Sequence, residues 1–336
     1  MKRALVIGGT GFIGLHVVDA LLAAGWAVRT TRRRSSPTLL LRRRSVEMVY
    51  ADLDDYASLE AAMRDVDAVF LTAARYPRYS IMTAEDVERA ALQVRNVCIA
   101  SARMGAGRLV YASSIAVLRP GRSPATERDV GLPQWTEGAY PTMKKAIEVE
   151  IDRARDAGVD VVSLLLGGCI GPWDLRLGTN GFVAALLHGA VTHWVDGIIH
   201  LVAVEDAARA HVAALDGPGA RYIVAGRTLT VGQLIDTMVR RFDAPPPGPP
   251  TGLVEMRALA DASEAAAAPR RLRVPVPREF VDIAAIGRPV STDLAERELG
   301  MKWTPLDDAL DATVAWLVRH RYVPPAHVRR SHHHAV

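Results

Sequence analysis

Residues 1–14 read MKRALVIGGTGFIG, and this stretch decides the fold. Ala4, Leu5, Val6 and Ile7 form an unbroken apolar run, the pattern of a strand buried on both faces. Glycines follow at Gly8, Gly11 and Gly14, where the chain has to turn sharply and let a ligand approach its backbone. A helix comes next, legible in Phe12, Ile13, Val17, Val18, Leu21 and Leu22 and stopped by Gly25. Strand, glycine turn and helix in this order hold a pyrophosphate, because the helix N-terminus offers amide N–H groups and a partial positive charge. Gly8, Thr10, Gly11, Phe12, Ile13 and Gly14 are the candidate residues of a dinucleotide-binding loop.

Outward from this loop the chain alternates strand and helix. WAVRTT gives a second strand and VEMVYADLDD a third that ends near Asp52, followed by a helix over Tyr56–Arg64. VDAVFLTAA gives a fourth strand from Asp67 to Ala74, the spacing of Val87–Ala102 a long helix, and GRLVYASS a fifth strand. Ala139–Ala157 is a further helix, and VDVVSLLLGGCIGP reads as a sixth strand that leaves the sheet at Gly171 and Pro172. Strict alternation predicts an α/β fold, a doubly wound parallel sheet of Rossmann type with ligands at the carboxyl ends of its strands.

Beyond residue 172 the alternation weakens. GFVAALLHGA reads as a helix, IIHLVAVEDAARAHVAALDG as strand then helix, RYIVAG as a strand, and TVGQLIDTMVRRF as a helix opened by Thr230. Pro245–Pro250 is a stiff connector, Glu255–Ala268 is helical, and two helices flank the Trp303–Thr304–Pro305 turn. The expected division is a dinucleotide-binding domain over residues 1–172, to which later segments return strands, a smaller α/β substrate-binding lobe over 173–325, and a disordered tail over 326–336.

The composition is globular: 336 residues, 49% hydrophobic and 23% charged, with no apolar run long enough to span a membrane. The first strand begins at the N-terminus with no signal sequence ahead of it, so a cytoplasmic location is expected. Cys98 and Cys169, the two cysteines, sit apart in apolar settings and read as packing residues rather than a disulfide or a metal site. His332, His333 and His334 have no acidic or cysteine companions, and no metal site is expected. Neither a nucleic-acid nor a membrane partner is expected.

The net charge of +4 matters less than its placement. Arg29, Arg32, Arg33, Arg34, Arg42, Arg43 and Arg44 fall in one segment without an acid, beginning at the end of the second strand, where a dinucleotide fold places the adenosine ribose. An acidic residue there would bind ribose hydroxyls and favour NAD. Guanidinium groups suit a 2′-phosphate, so NADP is the expected cofactor, with NAD the alternative.

The chemistry lies further on. The fifth strand ends in Ser113 and Ser114, and AYPTMKK then places Tyr140 four residues ahead of Lys144 on one helical face. A phenol titrates near pH 10, too high for proton transfer at neutral pH, and an adjacent ammonium would bring it down by stabilising the phenolate. The same ammonium can bind the nicotinamide ribose. A serine hydroxyl can then hold the substrate oxygen beside the phenol while hydride passes at carbon. Pro141, directly after the tyrosine, requires Tyr140 to sit at the start of its helix.

GGTGFIG, ADLDD, YASS and YPTMK, in this order and spacing, resemble the extended short-chain dehydrogenase/reductase superfamily. The chain is most similar to its dihydroflavonol-reductase-like branch, which also holds hopanoid-associated sugar epimerases and 3β-hydroxysteroid dehydrogenases. The resemblance implies that Gly8, Gly11 and Gly14 cradle the pyrophosphate and that Arg33 meets the 2′-phosphate. Asp52 and Leu53 would flank the adenine, and Ala73 and Ala74 the nicotinamide side. It also implies Tyr140 as general acid or base, Lys144 as its partner, Ser114 as the hydroxyl that polarises the substrate, and a homodimer through a four-helix bundle that includes the tyrosine helix. The chain departs from the family near Ala90, where an asparagine is usual, and at Leu166 or Gly167, where a proline is usual.

The substrate end falls to the loops after the fourth and sixth strands, with Arg75, Tyr76, Arg78, Tyr79, Trp135, Trp173, Asp174 and Phe182. Arg75, Tyr79, Trp135, Trp173 and Phe182 are the candidate substrate residues, and the rings serve packing equally well. Three functions follow. The first is an NADPH-dependent reductase of a small, mainly apolar or phenolic, polyketide-like ketone, or the reverse alcohol dehydrogenase. The second is a nucleotide-sugar 4-epimerase or dehydratase with a retained, recycled NAD. The third is a non-catalytic NADP-binding sensor or scaffold, which loss of the tyrosine or lysine would have favoured.

Overall fold

The strand β1 (Arg3–Ile7) is the centre of the molecule, and its alternating side chains feed two separate cores. Ala4 and Val6 pack on one face of the sheet, Leu5 and Ile7 on the other, and Ala4, Leu5 and Val6 are fully buried. A strand covered on both sides is filled mainly by apolar side chains, which explains its continuous apolar run. The computed structural model describes residues 1–74, 83–121, 123–134, 138–269, 274 and 277–324.

Around β1 lie α1 (Phe12–Ala23), β2 (Ala27–Arg32), β3 (Val46–Tyr50), α2 (Tyr56–Ala62), β4 (Ala68–Leu71), α3 (Ala84–Met104), β5 (Arg108–Ala112), α4 (Ala139–Asp156) and β6 (Val161–Leu166). β7 (Gly168–Ile170), α5 (Thr179–Leu187), β8 (Ile198–Ala203), α6 (Val204–Ala213), β9 (Arg221–Val224) and β10 (Arg227–Thr230) follow. The chain continues through α7 (Val231–Phe242), α8 (Leu253–Ala267), α9 (Arg278–Ile286), α10 (Asp293–Glu298) and α11 (Leu306–Arg319).

Seven strands form a parallel sheet in the order β3-β2-β1-β4-β5-β6-β9. The strand order reverses between β1 and β4, and Val6 stands level with Thr30 on one side and Phe70 on the other. Such a switch point opens a crevice at the carboxyl ends of the strands. One face is covered by α1 and α6, through Leu15, Val17, Val18, Ala207 and Ala210. The other is covered by α2, α3 and α4, through Leu59, Val94, Val97, Met143, Ile147 and Ile151.

One expectation is corrected. The segment VDVVSLLLGGCIGP is not a single strand leaving the sheet at Gly171 and Pro172. It divides at Gly167, and β7 joins β8 and β10 in a separate three-stranded sheet. The Gly167 N–H still bonds Val224 O at 2.9 Å, and a Cβ on Gly167 would lie 3.2 Å from the Ala225 Cα and the His200 Cβ. Two glycines let the backbone cross from one sheet to the other where a side chain would be crowded. RYIVAG, from beyond residue 172, supplies β9 to the main sheet.

The small sheet has its own core with α5, α7 and α11, including Ile170, Leu187, Leu201, Leu234, Met238 and Leu310. Buried Asp206 anchors the Trp303–Thr304–Pro305 turn by accepting from the Thr304 N–H and hydroxyl, each at 2.7 Å. Among the described residues no helix is long and apolar enough to cross a membrane, and no group of three His, Cys, Asp or Glu could hold a metal. Cys98 and Cys169 are buried free thiols, both pushed up to about 12 by burial. The tail at 326–336 lies outside the described residues.

Candidate active site

The glycine loop is shaped by close approach. Gly8 has φ +105°, and a Cβ there would lie 2.7 Å from the Ala73 amide nitrogen. Gly14 packs the first turn of α1 onto the loop so tightly that a Cβ would lie 2.2 Å from Gly8 O and 2.6 Å from Thr72 Oγ1. Gly11 is the N-cap of α1, with no side-chain cap and no acid in the first turn, so the amides of Phe12 and Ile13 keep an uncompensated positive end. Thr10 completes the turn. The cradle fits a pyrophosphate: it is made of backbone, and side chains would fill it. Two contributors went unnoticed in the sequence: Gly9, whose Cβ would lie 2.1 Å from Thr30 Oγ1, and Thr72, whose hydroxyl donates to Ile7 O at 3.1 Å. The adjacent pair Gly8–Gly9 was the available signal.

The arginine cluster does not act as one patch. Arg29 is buried and donates to Glu47 Oε2 at 2.9 Å, Ala62 O at 2.9 Å and Arg64 O at 2.7 Å, tying β2 to β3 and α2. Arg44 grips Asp19 of α1 through Nε at 2.5 Å and Nη2 at 2.7 Å. Arg29 and Arg44 therefore serve the fold, because each lies where main-chain carbonyls or a carboxylate would otherwise be bare. Arg32, the last residue of β2, and Arg33 and Arg34 just past it are exposed, and Arg33 opens a turn by donating its N–H to Ser36 Oγ at 2.9 Å.

Asp52 and Leu53 follow β3. The Asp52 N–H donates to Ser58 Oγ at 3.0 Å, and Leu53 leans on the core. Ala73 and Ala74 follow β4, with the Ala73 N–H bonded to Ile7 O at 3.0 Å. Parallel strands thus bring Gly8, Arg33, Asp52, Ala73 and Ser114 to one edge of the sheet.

At that edge Ser114 caps the short turn Ile115–Val117, its Oγ accepting from the Ala116 N–H at 3.2 Å. The helix α4 starts after Gly138, so Tyr140 and Pro141 occupy its first turn, where a missing N–H costs no helical hydrogen bond. The Ser114 hydroxyl lies close enough to the Tyr140 phenol to draw its pKa down. Lys144, buried one turn on, donates to Tyr111 OH at 3.0 Å and Ala112 O at 3.2 Å.

The electrostatics differ from the sequence expectation. Lys144 does not face the phenol directly, and burial with the nearby Glu279 charge pushes Tyr140 above its usual value, while Ser114 pulls it back. Burial pushes Lys144 down to about 8, opposed by Glu148 and Glu279. Tyr111 and Glu279 are further residues of the site that sequence reasoning missed. Tyr111 lies inside the YASS motif as one more apolar strand residue, and Glu279 comes from α9, whose sequence gives no hint of its destination.

Of the candidate substrate residues, Arg75, Tyr79 and Trp135 lie outside the described residues, as do Tyr76 and Arg78. Trp173 stacks edge-on against Trp316 and His320, with centroids 6.3 and 5.3 Å apart, and Phe182 packs on the core of the small sheet. Asp174 is buried beside them.

Residues 4–226 match the NAD dependent epimerase/dehydratase family. The chain is 28% identical over 328 residues to sterol demethylase protein B of Methylococcus capsulatus, covering 93% of this chain and 97% of that one. It is 27% identical over 327 residues to a putative dihydroflavonol 4-reductase of Synechocystis sp., covering 95% of each. A crystal structure of a nucleoside-diphosphate-sugar epimerase from Pseudomonas aeruginosa superposes with a TM-score of 0.79 at 25% identity, covering 96% of this chain and 99% of that one. With a glycine cradle at the switch point and Ser114, Tyr140 and Lys144 at its rim, the chain belongs to the NAD dependent epimerase/dehydratase family, as an NAD(P)-dependent enzyme of the extended short-chain dehydrogenase/reductase type.

Proposed function

We propose that this enzyme reduces the ketone of a small, mainly apolar or phenolic metabolite with NADPH, or oxidises the corresponding alcohol. The observation that carries the reading is the placing of Ser114 beside the Tyr140 phenol, whose pKa it draws down, with Lys144 buried one helical turn behind. A substrate oxygen set between the two hydroxyls accepts a hydrogen bond from Ser114, and Tyr140 gives it a proton as it becomes an alkoxide. Lys144 is held by Tyr111 and Ala112 at the floor of the site, where its ammonium can bind ribose hydroxyls and lend positive charge to the phenol. A bound nicotinamide dinucleotide supplies or accepts the hydride. Amides at the start of α1 would hold its pyrophosphate, and Arg33, exposed past the end of β2, its 2′-phosphate. A relative described as a reductase and the absence of an acid at the end of β2 support exchange of NADPH over retention of NAD.

Tyr140→Phe is expected to lower kcat by at least about a hundredfold, the scale of a lost general acid, while the dissociation constant for NADPH changes little. Stopped kinetics with unchanged cofactor titration would bear this out; retained turnover would sink it. Arg33→Ala is expected to weaken NADPH at least about tenfold more than NADH, since a charge-assisted phosphate contact is worth about 1.5–3 kcal/mol. Equal affinity of the unaltered protein for both coenzymes counts against the phosphate role. A second reading, 4-epimerisation or dehydration of a nucleotide sugar, is favoured by the family match and the similarity to a solved sugar epimerase. Dinucleotide analysis of the purified protein separates the two: tightly held NAD means recycling, an empty or exchangeable site means reduction.

A further inference from the structure

The row of α4 that carries Tyr140 and Lys144 continues through Glu148 and Asp152, each four residues after the last. Beneath it the sheet offers a second polar row. Tyr111 of β5 stands in register with Ser163 of β6, and Ser163 with Arg221 of β9, so the three side chains lie side by side on one face of the sheet. The two rows join rung by rung. Lys144 donates to Tyr111 OH at 3.0 Å, Glu148 Oε2 accepts from Ser163 Oγ at 3.3 Å and from Arg221 Nε at 3.0 Å, and Asp152 Oδ1 accepts from Arg221 Nη2. Tyr111, Lys144, Ser163 and Glu148 are buried, and the half-buried Asp152 and Arg221 bring the band toward solvent.

The acceptors that hold Lys144, Tyr111 OH and Ala112 O, are neutral, and a buried ammonium among neutral acceptors is stable only with an opposite charge close by. Glu148 stands one helical turn from it, at a separation set by α4 itself. The fixing of this carboxylate is one-sided: Oε2 takes both hydrogen bonds, and Oε1 is buried without a partner among the described residues. The titratable groups about Lys144 are Tyr140 and Glu148 of α4, Tyr111 of β5 and Glu279 of α9. About Glu148 they are Arg221, Asp152 and Arg155, with Glu127 and Lys145 lining the cleft that Glu148 shares with Arg221. Ser163 also accepts from Arg155 Nη2 at 2.8 Å, so the hydroxyl that holds Glu148 is held in turn.

We propose that Glu148 is a positioning residue for the reaction: from the next turn of α4 it supplies the buried countercharge that keeps the Lys144 ammonium charged and held to Tyr111, while Ser163 and Arg221 fix its own place. The proposal rests on the reading that a carbonyl is reduced at Tyr140 with Lys144 charged. Without the carboxylate charge the ammonium gives up its proton more readily, so the alkaline limb of activity moves to lower pH. The test measures kcat/KM for reduction of acetophenone by NADPH from pH 6 to 10 on the unaltered enzyme, Glu148→Gln and Glu148→Asp. Glutamine keeps an acceptor for Ser163 and Arg221 and drops the charge. Aspartate keeps the charge and loses a methylene.

Glu148→Gln is expected to move the alkaline limb down by about one pH unit or more, a loss of about fivefold at pH 8 that shrinks toward pH 6, and Glu148→Asp to leave it close to its original place. An even loss at every pH, or the same shift in both variants, would overturn the assignment and leave Glu148 a packing residue. Where Glu148→Gln does not fold, Arg221→Gln reads the coupling with the opposite sign: the carboxylate then acts on Lys144 uncompensated and the limb moves up, and a limb that stays or falls overturns the proposal. A further measurement needs no turnover. The difference in unfolding free energy between a protein and its Lys144→Met counterpart grows as the pH falls and levels off near pH 8 with Glu148 present. With Glu148→Gln it is expected to level off about one unit lower, and an unmoved plateau overturns the countercharge. If the plateau moves while the unaltered enzyme turns over no ketone, the coupling stands and the reduction reading is what fails.

Discussion

At the scale of the residue, the site turns on one buried cation. Lys144 leaves water to sit among Tyr111, Ala112 and the first turns of α4, and burial brings its ammonium down from an ordinary value of 10.5 to about 8. Unfolding between those values takes up a proton. Lys144 therefore lowers stability most below pH 8, and the penalty fades as the pH rises toward 10.5. Lys144→Met is expected to raise stability at pH 7 by up to about 3 kcal/mol and to give little gain at pH 10.5. Denaturant unfolding at the two pH values checks this, and a gain that grew with pH would contradict it. The type and spacing of Tyr140 and Lys144 were legible because i and i+4 share a helix face. The direction of the ammonium was not, since it depends on Tyr111, a residue from a different element.

At the scale of the element, the loop between β1 and α1 shows how far glycine spacing reaches. Gly8, Gly11 and Gly14 are equivalent as letters, but the structure gives them different duties. Gly14→Ala would put a methyl 2.2 Å from Gly8 O, against backbone that cannot yield cheaply, whereas the Cβ of Gly11→Ala would meet that oxygen at 3.2 Å. Gly14→Ala is expected to cost about 1–3 kcal/mol, in the range of an overpacked site, and to abolish dinucleotide binding. Gly11→Ala is expected to fold normally with weakened binding. Thermal melts with and without NADPH distinguish the two, and equal melting points for both variants would refute the close-packing account. The arginine segment teaches the converse. Its charge was visible in sequence, but which guanidinium serves the fold depended on where Glu47, Asp19 and the end of α2 would lie.

At the scale of the whole molecule, two histidines report on how tightly the two sheets close. His200 of β8 and His211 of α6 are buried, and desolvation lowers both to about 4 from an ordinary 6.5. His211 Nδ1 donates to Ala207 O at 2.7 Å, which by itself favours the charged ring, but burial outweighs that bond and Nε2 finds no partner among the described residues, so the ring is neutral. Their stabilisation is complete above pH 6.5 and is lost as the pH falls toward 4, at about 3 kcal/mol each. His211→Gln is expected to remove close to one proton of uptake on unfolding near pH 5, read as a shallower fall of unfolding free energy with pH. An unchanged slope would show that the histidine is protonated in the fold.

The sequence by itself determined the alternation of strand and helix, the dinucleotide loop and the Ser114, Tyr140 and Lys144 constellation, because each is written in local period and short spacing. It did not determine the break of β6 and β7 at Gly167, the commitment of Arg29 and Arg44 to the fold, the turning of Lys144 toward Tyr111, or the arrival of α9 at the site. Those depend on contacts between residues far apart in the chain. A glycine letter does not say which backbone will approach it, and a charge does not say which carbonyls it will satisfy. Only the packed sheets bring those partners together.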